Sequence, residues 1–268
     1  MKTICYSSLI NIKHSNLPQA STPIERLQAS MTQPYRSQMC GAYSLVASAI
    51  TLGVLSKNME PLHITNRLLF EDVDDEHIRT AEQCSREAIL NQDDTFAQWA
   101  EKVYSVTGIV NLDDPLSDCV PYSQGCNNGN SPSAMIMVAR QLGIDVQLRV
   151  SNKMNEEINS NPRIKDRLCV ALGTAPKLRM DRINFTDGFG HCPENGQLGI
   201  SLMSIISNDN VTLANKQPKH WITRCSDNTY FDSLRDFYEG HQYGRVGAPW
   251  AARPYTDTGM EIILSKNH

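Results

Sequence analysis

The feature that most constrains the fold of this chain is a run of small and apolar residues that begins at Cys40, CGAYSLVASAITLG. Over residues 40–55 the apolar positions cover most of the circumference of a helix, which predicts a helix buried on nearly all sides. The run follows the proline-containing stretch TQPYRSQM, so Cys40 is predicted to lie at the helix N-terminus. The helix dipole and the free backbone N–H groups at that end favour a thiolate and can bind an oxyanion. Cys40 is therefore a candidate nucleophile.

A thiol nucleophile needs a base within hydrogen-bonding distance and a third group that orients the base. Among the seven histidines, His220 differs because it begins a predicted strand, HWITRC, and the next predicted strand, TYFDSL, carries Asp232. If residues 226–228 form a three-residue hairpin loop, His220 and Asp232 project from the same face as diagonal neighbours. A four-residue loop would reverse the parity and separate them.

Each of these signals alone is more often structural than catalytic. A cysteine that opens a core helix is usually a small buried residue, and a single strand histidine usually has a packing role. Their joint order along the chain, Cys40 at a helix start, His220 on a strand and Asp232 on the next strand, indicates a thiol hydrolase.

The remaining pattern predicts helices before strands. A helix is expected over residues 82–106, and another over SPSAMIMVARQLG, with Ser131 as N-cap, Pro132 in the first turn and Gly143 as the stop. The alternating segment IDVQLRV predicts a strand at 144–150, and from residue 198 onward strand patterns dominate. This order indicates an α+β fold, with an N-terminal helical part packed on a C-terminal antiparallel sheet.

The length and the absence of a convincing linker predict one domain, residues 31–268, after an irregular N-terminal arm, residues 1–30. The net charge of −4 argues against nucleic-acid binding. No apolar stretch approaches the ~18 residues that span a bilayer. The N-terminus lacks the features of a signal peptide, so we expect a cytoplasmic protein or one secreted without a cleaved signal.

The eight cysteines do not suggest a disulfide framework, because the chain is large and their spacings are scattered. They contain no C-x-x-C pair, which argues against structural zinc. We expect most of them to be thiols in a reducing compartment, and a pairing of Cys119 with Cys126 stays open. The acidic run EDVDDEH at 71–77 lacks calcium-loop spacing and predicts a solvated surface. No cofactor or metal is predicted.

Several segments resemble papain-like cysteine peptidases, including the double-glycine leader peptidases and bacterial effector proteases. QPYRSQMCGAYSLVASAI is similar to their Gln–x–Cys-Gly active-site helix, and GCNNGNSPSAMIMVARQLGI to papain's glycine-bounded turn and the helix after it. HWITRC and TYFDSL resemble the His strand and the Asp strand. The resemblance implies a papain-like catalytic domain in which Cys40 is the nucleophile, His220 the general base and acid, and Asp232 the orienting group. It implies that Gln33 donates to the oxyanion beside the N–H of Cys40.

The chain departs from that pattern in several places, one of which is that papain itself has Asn where Asp232 stands. Gln33 lies seven residues before Cys40, where six is usual, so Gln38 remains an alternative oxyanion donor. The segment between Cys40 and GCNNG is longer than in papain, so residues 57–118 are expected to carry an inserted helical element. The cysteine that papain has just before its nucleophile is missing, which leaves Cys126 unpaired or paired elsewhere.

The resemblance implies a cysteine protease that hydrolyses a peptide bond in a protein or peptide through a thioester, and a role as a bacterial effector in virulence. A glutamine deamidase or an acyl transferase with the same triad is an alternative. From another class, the chain could be a catalytically inactive binding module, whose sign would be an inert Cys40. A metal-dependent hydrolase using His191, Cys192 and the 71–77 acids is the weakest alternative, because metal-ligand spacing is absent. The sequence leaves the oligomeric state open.

Overall fold

The computed structural model describes residues 31–34, 37–56, 58–66, 86–108, 129–160, 162–173, 183–185, 192–204, 219–234 and 244–266. The described helices are α1 (Cys40–Thr51), α2 (Phe96–Thr107), α3 (Pro132–Gln141), α4 (Asn152–Ser160) and α5 (Pro162–Leu172). The described strands are β1 (Leu62–Asn66), β2 (Arg86–Leu90), β3 (Ile144–Val150), β4 (Ile183–Phe185), β5 (Gln197–Ser204), β6 (Lys219–Cys225), β7 (Thr229–Asp232), β8 (Arg245–Pro249) and β9 (Thr256–Lys266). A short 3-10 helix, Trp250–Ala252, lies between β8 and β9.

Seven of these strands form one sheet in the order β4-β3-β9-β5-β6-β7-β8. Neighbouring strands are antiparallel, except that β4 runs parallel to β3. The α+β class is confirmed, because a helical first half packs on this largely antiparallel sheet. Among the described residues, no helix has the length and hydropathy needed to cross a membrane.

Helix α1 lies at the centre of the molecule, and all 12 of its residues are buried. It packs on β5, β6 and β7 and against α2 and α3. Its small side chains let the sheet approach closely: the Ser44 hydroxyl donates to the carbonyl of Trp221 at 3.3 Å, and Thr223 donates to the carbonyl of Ser44 at 3.4 Å. The buried helix is confirmed, but it ends at Thr51 rather than at residue 55. Gly53, with a φ of 78°, adopts the left-handed conformation that commonly follows a helix.

The predicted helix over 82–106 is wrong in its first half. Residues 86–90 form β2, which pairs with β1 in an antiparallel sheet of two strands. Helix α2 starts only after Thr95, because Thr95 and Gln98 form a capping box in which each side chain accepts a hydrogen bond from the other's backbone N–H. The range 57–118, expected to hold a helical insertion, thus contains both a helix and a two-stranded antiparallel sheet in its described part.

The second predicted helix and the strand after it are confirmed. Helix α3 starts at Pro132, and Gly143, with a φ of 76°, follows its end. Ser131 has the extended backbone of an N-cap, but its hydroxyl contacts the Ser133 hydroxyl instead of a backbone N–H. Strand β3 covers the predicted residues 144–150 and alternates between buried and half-buried side chains.

Candidate active site

Cys40 is the first residue of α1 and is 3% exposed. Its Sγ accepts a hydrogen bond from the backbone N–H of Trp221 at 3.4 Å. This contact places the thiol beside the first residues of β6, where His220 lies. As the first helical residue, Cys40 has a backbone N–H without an acceptor inside the helix.

Asn130 caps the same end of α1 from outside the helix. Its Oδ1 accepts the N–H of Gly41 at 3.0 Å, and its Nδ2 donates to the Thr107 hydroxyl at 2.6 Å. The contact requires glycine at position 41, because a Cβ there would lie 2.7 Å from the Asn130 side chain. Helix α1 is thereby tied to the end of α2 next to the thiol.

The hairpin of β6 and β7 has the three-residue loop on which the predicted His–Asp proximity depends. Thr223 pairs with Phe231 and Arg224 with Tyr230, so the loop consists of residues 226–228. Asn228 closes it in the left-handed region, with a φ of 62°, as the last residue of such a loop often does. His220 and Asp232 therefore project from the same face, and His220 Nε2 lies 2.7 Å from Asp232 Oδ1.

The pair is almost completely buried, since each side chain is 2% exposed. Burial acts to lower the pKa of His220, but the charges of Asp232 and Cys40 and hydrogen bonds to both outweigh it and raise the pKa to about 10. Burial acts to raise the pKa of Asp232. The charge and hydrogen bond of His220, with further hydrogen bonds from the Leu234 N–H and the Tyr255 hydroxyl, nevertheless lower it. Both shifts favour an imidazolium next to a carboxylate.

The site also contains Tyr255, which sequence reasoning missed. Its hydroxyl donates to Asp232 Oδ2 at 2.7 Å, and its ring centroid lies 5.1 Å from that of His220. Tyr255 precedes β9 in a segment without a motif, so only the folded chain shows that it reaches the hairpin. Asn130 was missed for the same reason, although it lies inside the quoted stretch GCNNGN.

Gln33 is buried, at 4% exposure, and is fixed against the strand that carries Asp232. Its backbone N–H donates to the carbonyl of Ser233 at 2.9 Å, and its Oε1 accepts from the Ser233 hydroxyl at 2.9 Å. Its Nε2 donates to the carbonyl of Ser37 at 2.9 Å and carries a second hydrogen. Gln38, the alternative oxyanion donor, is half-buried.

The other candidates are not brought to this site or lie outside the described residues. Cys192 lies at the opposite end of the β6–β7 hairpin, where its Sγ contacts Asn228 and Arg224. His191, Cys119, Cys126 and the acids 71–77 lie outside the described residues. Within the described part of the chain, no three His, Cys, Asp or Glu side chains are grouped to hold a metal. Cys40, Cys169, Cys192 and Cys225 are thiols.

Comparison with known families identifies the chain. The family model described as invasion plasmid antigen J, cysteine protease, matches residues 32–267, a range that includes all four predicted site residues. No curated protein and no solved structure matches the chain. The match covers most of the sequence, so the chain belongs to the invasion plasmid antigen J cysteine protease family, a family of bacterial effector proteases.

Proposed function

We propose that Cys40, His220 and Asp232 are the catalytic triad with which this cysteine peptidase hydrolyses a peptide bond through a thioester. The observation that carries the proposal is the buried hydrogen bond of 2.7 Å between His220 and Asp232, beside the thiol that opens α1. A carboxylate can only accept, so Nε2 of His220 donates to Asp232 and leaves Nδ1 for Cys40. The raised pKa of His220 favours the imidazolium that a thiolate needs as its partner.

The reaction follows from this arrangement. The Cys40 thiolate attacks the carbonyl carbon, and the imidazolium of His220 gives its proton to the departing amine. This leaves a thioester on Cys40 and a neutral His220. Water then attacks the thioester while His220 takes a proton from it, and collapse of the second tetrahedral intermediate releases the acid and restores the ion pair.

The oxyanion of each tetrahedral intermediate would be held by two donors. One is the backbone N–H of Cys40, at the positive end of α1. The other is the second hydrogen on Nε2 of Gln33. Support for Gln33 over Gln38 comes from its buried, fixed carboxamide: the Ser37 carbonyl can only accept, so the amide end that contacts it is the Nε2 donor.

The proposal includes the wider organisation of the protein. Residues 31–268 would form one catalytic domain, because Cys40 on α1 and Trp221 on β6, the neighbour of His220, belong to the same hydrophobic core. The substrate would be a protein or a peptide, and membership of an effector family supports a target outside the bacterium that makes the enzyme.

Iodoacetamide labelling of the native protein from about pH 4 to 9, with sites identified by mass spectrometry, tests the triad. We expect Cys40 to label selectively at a rate that persists well below pH 7, and this reactivity to be lost in His220→Ala. Cys192, a partly exposed thiol at the opposite end of the β6–β7 hairpin, is the internal comparison. If Cys40 labels no faster than Cys192 at every pH, the proposed triad is wrong.

A further inference from the structure

Tyr255 lies between the 3-10 helix and β9 and packs against a small hydrophobic cluster separate from the main core. The cluster consists of Met203, Ile222, Tyr230 and Trp250. This packing fixes the position of the tyrosine ring. The Tyr255 hydroxyl is therefore held against Oδ2, the second oxygen of the Asp232 carboxylate.

The hydrogen bonds of Asp232 divide between its two oxygens. Oδ1 lies 2.7 Å from His220 Nε2 and accepts the Leu234 N–H at 2.8 Å. Oδ2 accepts from the Tyr255 hydroxyl at 2.7 Å, and in the described part of the chain Tyr255 is its hydrogen-bond donor. With this donor removed, a buried carboxylate oxygen would be unsatisfied, and rotation of the carboxylate to find another partner would weaken the bond to His220.

The ring of Tyr255 restrains the other member of the pair. It contacts the imidazole of His220 at a centroid distance of 5.1 Å and an interplanar angle of 56°. A ring in this position opposes rotation of the imidazole, and such a rotation would move Nδ1 away from Cys40. One side chain therefore contacts both the base and the group that orients it.

We propose that Tyr255 is a positioning residue of the active site: its hydroxyl holds the Asp232 carboxylate in the rotamer that receives His220, and its ring holds the imidazole toward Cys40. This inference rests on the proposed triad.

The charged and titratable groups around this contact define the expected effect of its loss. His220 and Asp232 face Tyr255 directly, and Cys40 faces His220 from α1. Two further groups interact electrostatically with the Tyr255 hydroxyl: Arg245 on β8 and Tyr230 on β7. A carboxylate that turns away stabilises the imidazolium less. The proton then moves back from His220 toward the thiol, so the thiolate forms only at higher pH.

The test compares Tyr255→Phe, which keeps the ring and removes the hydroxyl, with the parent chain. The matched control is Tyr104→Phe, since Tyr104 is also buried but lies on α2, in the main hydrophobic core rather than in the cluster around Tyr255. Iodoacetamide labelling of Cys40 is followed against pH in the full chain. We expect the labelling midpoint of Tyr255→Phe to rise by about one to two pH units, and that of Tyr104→Phe to match the parent.

Each outcome has a distinct meaning. A parent that labels Cys40 rapidly and a folded Tyr255→Phe with the same pH profile would overturn the role of Tyr255 and leave the triad intact. A parent with an inert Cys40 would instead remove the triad itself. If Tyr255→Phe does not fold, the inference is tested by carbon-13 NMR of the unaltered chain, with its tyrosines labelled at Cζ. The Tyr255 resonance should then shift when His220 titrates, and a resonance that does not respond would contradict the inference.

Discussion

At the scale of single residues, the raised pKa of His220 favours a protonated imidazole although the side chain is buried. A buried charge survives only when a partner compensates it, and here Asp232 supplies the larger part. The roles of the two side chains nevertheless differ. His220 is proposed to transfer protons, whereas Asp232 is proposed to keep His220 protonated and to orient its ring with Nδ1 toward Cys40.

This difference predicts unequal losses of activity. His220→Ala should lower kcat/KM by about 10²–10⁴-fold on any peptide that the parent cleaves, because it removes the acid and base. Asp232→Ala should lower it less, because the imidazole remains. Asp94→Ala is the control, since Asp94 lies just before α2, where its half-buried carboxylate pairs with Lys102. A kcat/KM for Asp232→Ala equal to that of the parent would transfer the orienting role to another residue.

Individual site residues were predictable from the sequence where local rules apply. The His220–Asp232 contact follows from strand alternation, which is readable in HWITRCSDNTYFD, and from the length of one loop, which the sequence left open and the structure gives as three residues. Tyr255 and Asn130 reach the site through long-range packing, which no local pattern encodes. Sequence reasoning therefore found the residues proposed to react and missed those that hold them in place.

At the scale of elements, the segments with strong periodicity were predicted and those with weak or mixed patterns were not. Helices α4 and α5 were missed because α4 buries only Met154 and Ile158 of its nine residues, and that pattern resembles a surface loop. Strand β2 was taken for the start of a helix because REAIL consists largely of good helix formers. The capping box at Thr95 was readable in the sequence and marks the true start of α2.

The attachment of α1 gives a prediction at this scale. Asn130→Ala removes the acceptor of the buried Gly41 N–H and should reduce the free energy of unfolding by about 1–3 kcal/mol. Urea denaturation measures the change. Ser131→Ala is the matched control, because within the described residues the Ser131 hydroxyl contacts the Ser133 hydroxyl and caps no backbone N–H, so its loss should cost less. Equal stabilities of the two variants would show that Asn130 does not anchor the helix.

At the scale of the whole molecule, the buried His–Asp pair links folding to pH. The pKa of His220 rises from 6.5 in the unfolded chain to about 10 in the fold, so its contribution to stability is complete below pH 6.5 and is lost as the pH rises through 10. The pKa of Asp232 falls from 3.8, so its contribution is present above pH 3.8 and is lost as the pH falls through the lower folded value. Both contributions to the free energy of unfolding are present between pH 3.8 and 6.5.

The free energy of unfolding of the parent should therefore decline between pH 6.5 and 10 more steeply than that of His220→Ala. Urea titrations of both proteins at a series of pH values measure this difference. Parallel curves for the two proteins would mean that His220 is not stabilised as an imidazolium.

The contact between the Cys40 thiol and Trp221 spans 181 positions of the chain. During synthesis the ribosome releases Cys40 long before the β6–β7 hairpin exists, and chains emerge at only about 5–20 residues per second. The nascent polypeptide thus carries a thiol without a base for most of its translation. On the proposed assignment, the unfinished protease cannot cleave its own chain or the proteins bound to it during translation. Its peptidase activity begins only when β6 and β7 pack against α1.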